Sequence, residues 1–198
     1  MSSSRDEILA TIKKNQPAPT ELPSLDQDWI QYDDPLLQFE TVLNSVGGRV
    51  LQAENLSQGQ SVIAELLETL RPQKIYSRVP DLLGSNFEDS LITDPHQLED
   101  VDLAILPGEI AVAENAAIWI DDQAMQHRTV LFIAQHVLLT VSKSQLVNNM
   151  HEAYDRLIWD KRQFGVFVSG PSKTADIEQS LVIGAHGARS LTVLVTKE

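Results

Sequence analysis

Short apolar runs alternate with segments of helical periodicity along most of this chain. Residues 35–48 place apolar side chains three or four positions apart and end in a Gly-Gly pair, which predicts a helix and its stop. Residues 57–72 predict a second helix, which a proline ends. Strands are predicted at 49–53, 74–79, 99–107 and 190–198. This β-α-β rhythm is typical of an α/β protein with a mostly parallel sheet.

The middle of the chain departs from this rhythm. Residues 108–122 and 127–141 have the pattern of successive strands with no helix between them, which predicts a β-hairpin extension. Helical periodicity returns over 142–160, and residues 164–187 have the pattern of a strand, a loop and a helix. We therefore predict an α/β fold in which helices flank a mostly parallel sheet with a β-hairpin extension.

Residues 1–34 differ in character from the rest of the chain. A short helix is predicted over Ser4–Lys14, and a polar arm rich in proline follows it. An unstructured leader is the alternative for this arm, but Trp29 and Tyr32 indicate that its end docks on a surface, either of its own chain or of a neighbour. We therefore divide the chain into an N-terminal helix and extended arm, 1–34, and a single α/β domain, 35–198.

The charge of the chain argues against two classes of partner. Its 198 residues carry a formal net charge of -13, whereas phosphate backbones and anionic membranes attract basic faces. We therefore expect no nucleic-acid partner. The most apolar stretch, 129–141, is shorter than the roughly 20 residues that a membrane-spanning helix needs, so no membrane span is expected.

The sequence contains no cysteine. Disulfides, thiolate nucleophiles and thiolate-held zinc or iron–sulfur clusters are therefore outside the chemistry of this chain. The histidines also lack the spacing of a metal site, so no metal site is predicted. The lack of cysteine and of an apolar leader sequence favours a cytoplasmic protein.

The segment 169–178 is the first candidate site, because a strand that ends in small residues and turns into a helix commonly holds an anion. Gly170 allows close approach of a ligand, Lys173 adds a positive charge, and the neighbouring hydroxyls can donate hydrogen bonds. A capped helix start with acidic first-turn residues would explain the same pattern. The candidate ligand-binding residues here are Ser169, Gly170, Ser172, Lys173, Thr174, Asp176 and Glu178.

Two further residues are candidates. Glu114 lies between a predicted strand end and Asn115, where a carboxylate can serve as base, nucleophile or ligand; a solvated hairpin tip is the alternative. His186 follows the predicted helix between two glycines, where it would be a helix C-cap with a ligand-facing imidazole. His136 lies within an apolar run, and we interpret it as a core histidine whose hydrogen bonds are satisfied.

The last third of the chain closely resembles the lactate utilization protein C family, whose domain is called LUD. The resemblance rests on the runs SGPSKTADIE (169–178) and GAHGAR (184–189), followed by an apolar strand. The N-terminal SRDEILATIKKN also looks like the leading helix of the family. In the middle, Ala113 and Glu114 match the family, whereas 115–117 read Asn-Ala-Ala where the family often has Thr-Gly-Thr.

This resemblance implies a fold similar to that of sugar-phosphate isomerases and CoA-transferases, with ligands at the C-terminal ends of the strands. It also implies a role in oxidising L-lactate to pyruvate, within a three-component system. The chain would then be a non-redox subunit or accessory protein that binds no cofactor itself. Iron–sulfur clusters would be carried by cysteine-rich partner proteins.

The residues and the resemblance together predict a site for a small carboxylate or phosphate at the amides of residues 170–174. Glu114, as the catalytic candidate, and His186 would approach it from neighbouring strand ends. Two other functions remain open on the sequence alone. One is a stand-alone enzyme acting on a sugar phosphate or CoA ester, and the other is a ligand-binding module without chemistry.

Overall fold

A five-stranded parallel sheet, the main sheet, forms the centre of the computed structural model, which describes residues 3–123, 125–158, 164–175 and 181–197. In chain order the strands are β1 (Arg49–Ala53), β2 (Ile75–Ser77), β3 (Leu103–Pro107), β4 (Ile110–Val112), β5 (Ala117–Asp121), β6 (His136–Ser142), β7 (Leu146–Val147), β8 (Gly165–Val168), β9 (Lys173–Ala175), β10 (Leu181–Ile183) and β11 (Ser190–Thr196). The main sheet has the order β1-β11-β6-β3-β2, and each neighbouring pair is parallel. The predicted α/β class is confirmed.

A second sheet has the order β7-β4-β5-β8, and β9 pairs with β10 in a separate hairpin. A β-hairpin extension is present as the antiparallel pair of β4 and β5, but both strands lie within residues 108–122. The second predicted segment, 127–141, instead supplies β6 to the main sheet, parallel to β3 and β11. The α-helices are α1 (Ser4–Lys14), α2 (Pro35–Ser45), α3 (Leu56–Val62), α4 (Ala64–Leu70), α5 (Val130–Ile133) and α6 (Met150–Arg156). Shorter 3-10 turns cover Asp89–Leu91, Pro95–Leu98 and Lys143–Gln145.

The core consists of three layers of apolar contact. On one face of the main sheet, α3 and α4 cover a cluster that includes Ile63, Leu66 and Leu138. On the other face, the main sheet packs against α2 and against the inner side of the second sheet. The outer side of the second sheet is covered by α6. The main sheet is therefore apolar on both faces, as expected for a parallel sheet.

Three predicted elements are placed differently. The single helix predicted over 57–72 is two helices that meet at Ile63. Residues 130–133 form α5 instead of a strand, since a short apolar run fits a buried helical turn as well as a buried strand. The helix predicted over 142–160 begins only at Met150, because Asn149 caps it and β7 precedes it.

The N-terminal helix α1 is present as predicted, but none of its residues is buried. The arm that follows docks only at its end. Trp29 stacks on His151 with ring centroids 3.4 Å apart, and the Tyr32 backbone N–H donates to Asn148 Oδ1 over 3.0 Å. The end of the arm therefore contacts its own chain through Trp29 and Tyr32, a partner that the sequence left open. In the part of the chain that the structure describes, no helix combines the length and apolarity that crossing a membrane requires.

Helix α2 carries much of the contact with the main sheet, and it supplies a test of this packing. Asp34 caps it by accepting from the N–H groups of Leu36 and Leu37. Phe39 is fully buried, whereas Leu37 in the same helix is 61% exposed. Phe39→Ala should lower the free energy of unfolding by about 3–5 kcal/mol, because it leaves a cavity. Leu37→Ala should change it by less than about 0.5 kcal/mol. Urea unfolding measures both, and equal effects would contradict the described packing.

The docked arm should loosen in acid. Burial raises the pKa of the Glu152 carboxyl, but hydrogen bonds from the Asn148 backbone, the Gln31 amide and the Asn148 side chain outweigh it and hold that pKa below its ordinary value. The stabilisation of the docked arm by the ionised Glu152 carboxylate is therefore fully present above the ordinary pKa of a carboxyl group. It is lost as the pH falls through the lowered pKa of Glu152. The Trp29 indole resonance should shift in that acid range. Glu152→Gln should remove this shift and Glu65→Gln should leave it unchanged, and an identical titration in both variants would refute the assignment.

Candidate functional site

The segment 169–172 leaves the second sheet beside the turn between β4 and β5. The Ser169 hydroxyl donates to the Asn115 carbonyl over 2.7 Å. Glu114 lies next to Asn115 in this turn, is half-buried, and donates its backbone N–H to the Asn148 carbonyl. The structure therefore brings the turn that carries Glu114 into contact with the start of the predicted site.

The prediction of a helix after Ser172 is wrong for the first residues of that helix. Residues 173–175 form β9, which pairs antiparallel with β10 so that Thr174 faces Val182. The backbone groups of Lys173 and Thr174 therefore belong to a strand pair and not to the start of a helix. No helix terminus is present at these two residues to attract an anion. Thr174, Val182 and the neighbouring Ile183 are β-branched, which favours a strand. Asp176 and Glu178 lie outside the described residues.

Ser172 joins the two ends of this hairpin. Its backbone N–H donates to the Ala188 carbonyl over 2.8 Å, and its carbonyl accepts from the Gly184 N–H over 2.9 Å. Its hydroxyl donates to the His186 carbonyl over 3.3 Å. Ser172 and His186 are therefore neighbours, and the exposed His186 follows a strand instead of capping a helix as predicted.

Gly170 allows the chain to pass close to the end of α2. Its φ is +73°, and a Cβ there would lie 2.9 Å from Val46 Cγ2 and 3.0 Å from the Val46 carbonyl oxygen. Both facts disfavour any other residue. The sequence reasoning predicted close approach of a ligand at this glycine, whereas the structure places the protein's own backbone there.

A cavity of about 230 Å³, the signature recess, opens beside these residues. Phe132, Val137, Val168 and Leu191 supply apolar walls, while polar groups come from the chain at 169–172 and from His186. Such a lining, mainly apolar with a few polar groups, is typical of sites for small organic ligands. Lys173 is exposed and directly follows the lining residue at 172.

The signature recess lies between one end of the main sheet and the second sheet. Val137 and Leu191 are the second residues of β6 and β11, so the recess lies at the amino-terminal ends of these strands. The same recess also borders the C-terminal end of β8, where Val168 leads into Ser169, so a site at C-terminal strand ends stays a prediction. Both kinds of strand end meet here because the segment between them leaves the C-terminal end of β8 and leads to the start of β11.

Sequence reasoning missed the apolar walls of the recess. Phe132, Val137 and Leu191 lie in apolar runs that were predicted as strands, but the alternation of side chains says nothing about which distant segment they face. Among the described residues, no group of three or more His, Asp or Glu side chains is placed to hold a metal ion.

Comparison with known proteins identifies the family. A sequence profile of the LUD domain matches residues 95–196, more than half of the 198 residues, and the chain belongs to the LUD domain family. The fold agrees with this. A DUF162 family protein from Deinococcus radiodurans superposes with a TM-score of 0.61 at 21% identity, over 82% of this chain and 96% of that one.

The chain is also similar to proteins named lactate utilization protein C. The one from Oceanobacillus iheyensis is 27% identical over 129 residues, which are 61% of this chain and 55% of that protein. The one from Geobacillus thermodenitrificans is 30% identical over 107 residues, which are 50% of this chain and 44% of that protein. The matches thus span about half the length of these curated relatives.

Gly170 provides a test of the local geometry. Gly170→Ala should destabilise the protein by about 1–2 kcal/mol through its left-handed backbone, and further through the contact with Val46. Gly84→Ala is the matched control, because a Cβ at Gly84 would meet no atom within 4 Å. Chemical unfolding compares the two variants, and a Gly170→Ala variant as stable as Gly84→Ala would contradict this geometry.

Proposed function

We propose that this chain acts in lactate utilization, as a non-redox subunit or accessory protein of an iron–sulfur system that oxidises L-lactate. The observation that carries the proposal is the similarity to proteins named lactate utilization protein C, at 27% and 30% identity over 129 and 107 residues. The runs at 169–178 and 184–189, which carried the resemblance in the sequence, support the same function.

The chain's composition supports a non-redox role. Iron–sulfur clusters are held mainly by cysteine thiolates, and this sequence contains no cysteine. In the proposed system the clusters therefore reside on cysteine-rich partner proteins, and this chain binds no cofactor. A cytoplasmic location belongs to the same proposal, because a cysteine-free chain fits a reducing compartment.

We further propose that the signature recess receives an anionic ligand with an apolar portion. The apolar portion packs against Phe132 and Leu191, where the walls of the recess are hydrocarbon. The carboxylate or phosphate lies at the polar side, near Ser172 and His186. Lys173 supplies positive charge close to this side. Glu114, on the turn that Ser169 contacts, is the catalytic candidate of this site.

A tagged pull-down under anaerobic conditions tests the function. Mass spectrometry and an iron assay of the eluate should find cysteine-rich, iron-containing partners, and the eluate should reduce an electron acceptor when L-lactate is added. Lys173→Gln combined with His186→Gln should lower this rate several-fold, because the positive charge beside the recess and the imidazole that lines it are both changed. Lys14→Gln combined with His96→Gln makes the same chemical changes at exposed positions elsewhere and should leave the rate unchanged.

Two results would count against the proposal. An iron-free eluate without partners would argue against a stable complex of this kind. A complex that forms but does not respond to L-lactate would argue against the substrate. Equal rates from the two double variants would remove the signature recess from the proposal while leaving the subunit role in place.

A further inference from the structure

A second cavity, of about 460 Å³, opens at the amino-terminal end of the main sheet. We call it the amino-end recess. It shares no lining residue with the signature recess and differs from it in chemistry, because most of its lining is polar or charged. Its lining residues are Leu70, Asp100, Asp102, Gln135, His136 and Arg189.

Backbone hydrogen bonds hold the starts of three neighbouring strands together at this recess. The Gln135 N–H donates to the Val101 carbonyl over 3.1 Å, and the His136 N–H donates to the Asp102 carbonyl over 2.9 Å. The Arg189 N–H donates to the Gln135 carbonyl over 2.8 Å. The side chains at the starts of β3, β6 and β11 are therefore carried on a rigid frame, as a binding site requires.

His136 is oriented by a neighbour on β11. Its Nδ1 lies 2.7 Å from the Ser190 hydroxyl oxygen, and the two residues are direct partners in the sheet. This contact uses Nδ1, so Nε2 is the ring atom left for a ligand. Burial lowers the pKa of His136 and the charge of Arg189 lowers it further, against the opposing effect of Asp102. The imidazole is therefore neutral near pH 7.

The two carboxylates of the recess already have donors. Asp102 Oδ2 accepts from the backbone N–H groups of Gln73 and Lys74, over 2.7 and 3.0 Å. Asp100 forms an ion pair with the Lys74 ammonium. Arg189, by contrast, forms no ion pair with any residue in the described ranges. The recess thus combines an available guanidinium with a neutral imidazole and an anchored carboxylate.

We propose that the amino-end recess binds a small 2-hydroxy acid. The planar guanidinium of Arg189 matches a carboxylate, which it can bind through two parallel N–H groups. With the Ser190 hydroxyl donating to His136 Nδ1, the Nε2–H of the neutral imidazole donates to the ligand hydroxyl on the adjacent carbon. That hydroxyl in turn donates to a carboxylate oxygen of Asp102. Leu70 provides an apolar surface for a short alkyl group. Choosing lactate as the first probe rests on the proposed function, whereas the site itself rests on these side chains.

Titration of the isolated full chain with L-lactate tests the site, with the His136 ring resonances as the readout. Saturable shifts of these resonances are expected. Arg189→Met should weaken binding at least tenfold, because it removes the guanidinium while keeping an unbranched side chain beside Gly184, which the stem of Arg189 approaches. Arg5→Met removes the same charge from the exposed helix α1 and should leave binding unchanged.

Related ligands and a second variant complete the test. Propionate, which lacks the hydroxyl, should bind several-fold more weakly than L-lactate, and Arg189→Lys should weaken binding because it keeps the charge but loses the planar fork. No saturation in the millimolar range would overturn the proposal. Equal binding of propionate, tighter binding of L-alanine, or no effect of either variant at position 189 would also overturn it.

The outcome separates this site from the proposed function. If the partner complex oxidises L-lactate but the isolated chain does not bind it at His136, the recess is refuted and the function stands. If the chain binds L-lactate at His136 but no iron-containing partner is found, the recess stands and the subunit role fails.

Discussion

The insertion of β11 between β1 and β6 is the interaction on which the rest of the structure depends. The last strand of the chain pairs along its whole length with β6 and along five residues with β1. Without β11, β1 would have no hydrogen-bonding partner in the main sheet. The apolar clusters on both faces of the main sheet would then be exposed to solvent. The hydrogen bonds of this strand are buried between apolar layers, where an unpaired backbone group is costly.

Both recesses are consequences of how the chain reaches this strand. The residues before β11 pass between them, so that His186 lines the signature recess and Arg189 lines the amino-end recess. Ser172 ties the same segment down through the Ala188 carbonyl. Several residues of the family run at 169–178 therefore have a clear part in the fold: Gly170 lets the chain pass α2, and Ser172 closes the hairpin.

Much of the fold was predictable from local patterns, and the errors have a common cause. The strands of the main sheet were found because buried parallel strands form short apolar runs bounded by turn residues. Residues 130–133 and 173–175 were assigned to the wrong element, since segments this short fit either periodicity. At 173–175, the acidic run that follows Thr174 is typical of a helix start, but these residues instead form a strand that pairs with β10. Tertiary contacts commonly override weak local preferences in this way.

The sequence by itself determined the α/β class, the absence of thiolate chemistry, the acidic charge and the family resemblance. These properties depend on composition, local periodicity and contiguous motifs. Only the tertiary structure decided which side chains meet. His136 and Ser190 are 54 positions apart in the chain and hydrogen-bonded in the fold. Similarly, the fold brings the candidate segment, which follows the C-terminal end of β8, to the amino-terminal ends of β6 and β11. The physical reason is that periodicity specifies a strand and its two faces, whereas strand order and register are set by long-range packing.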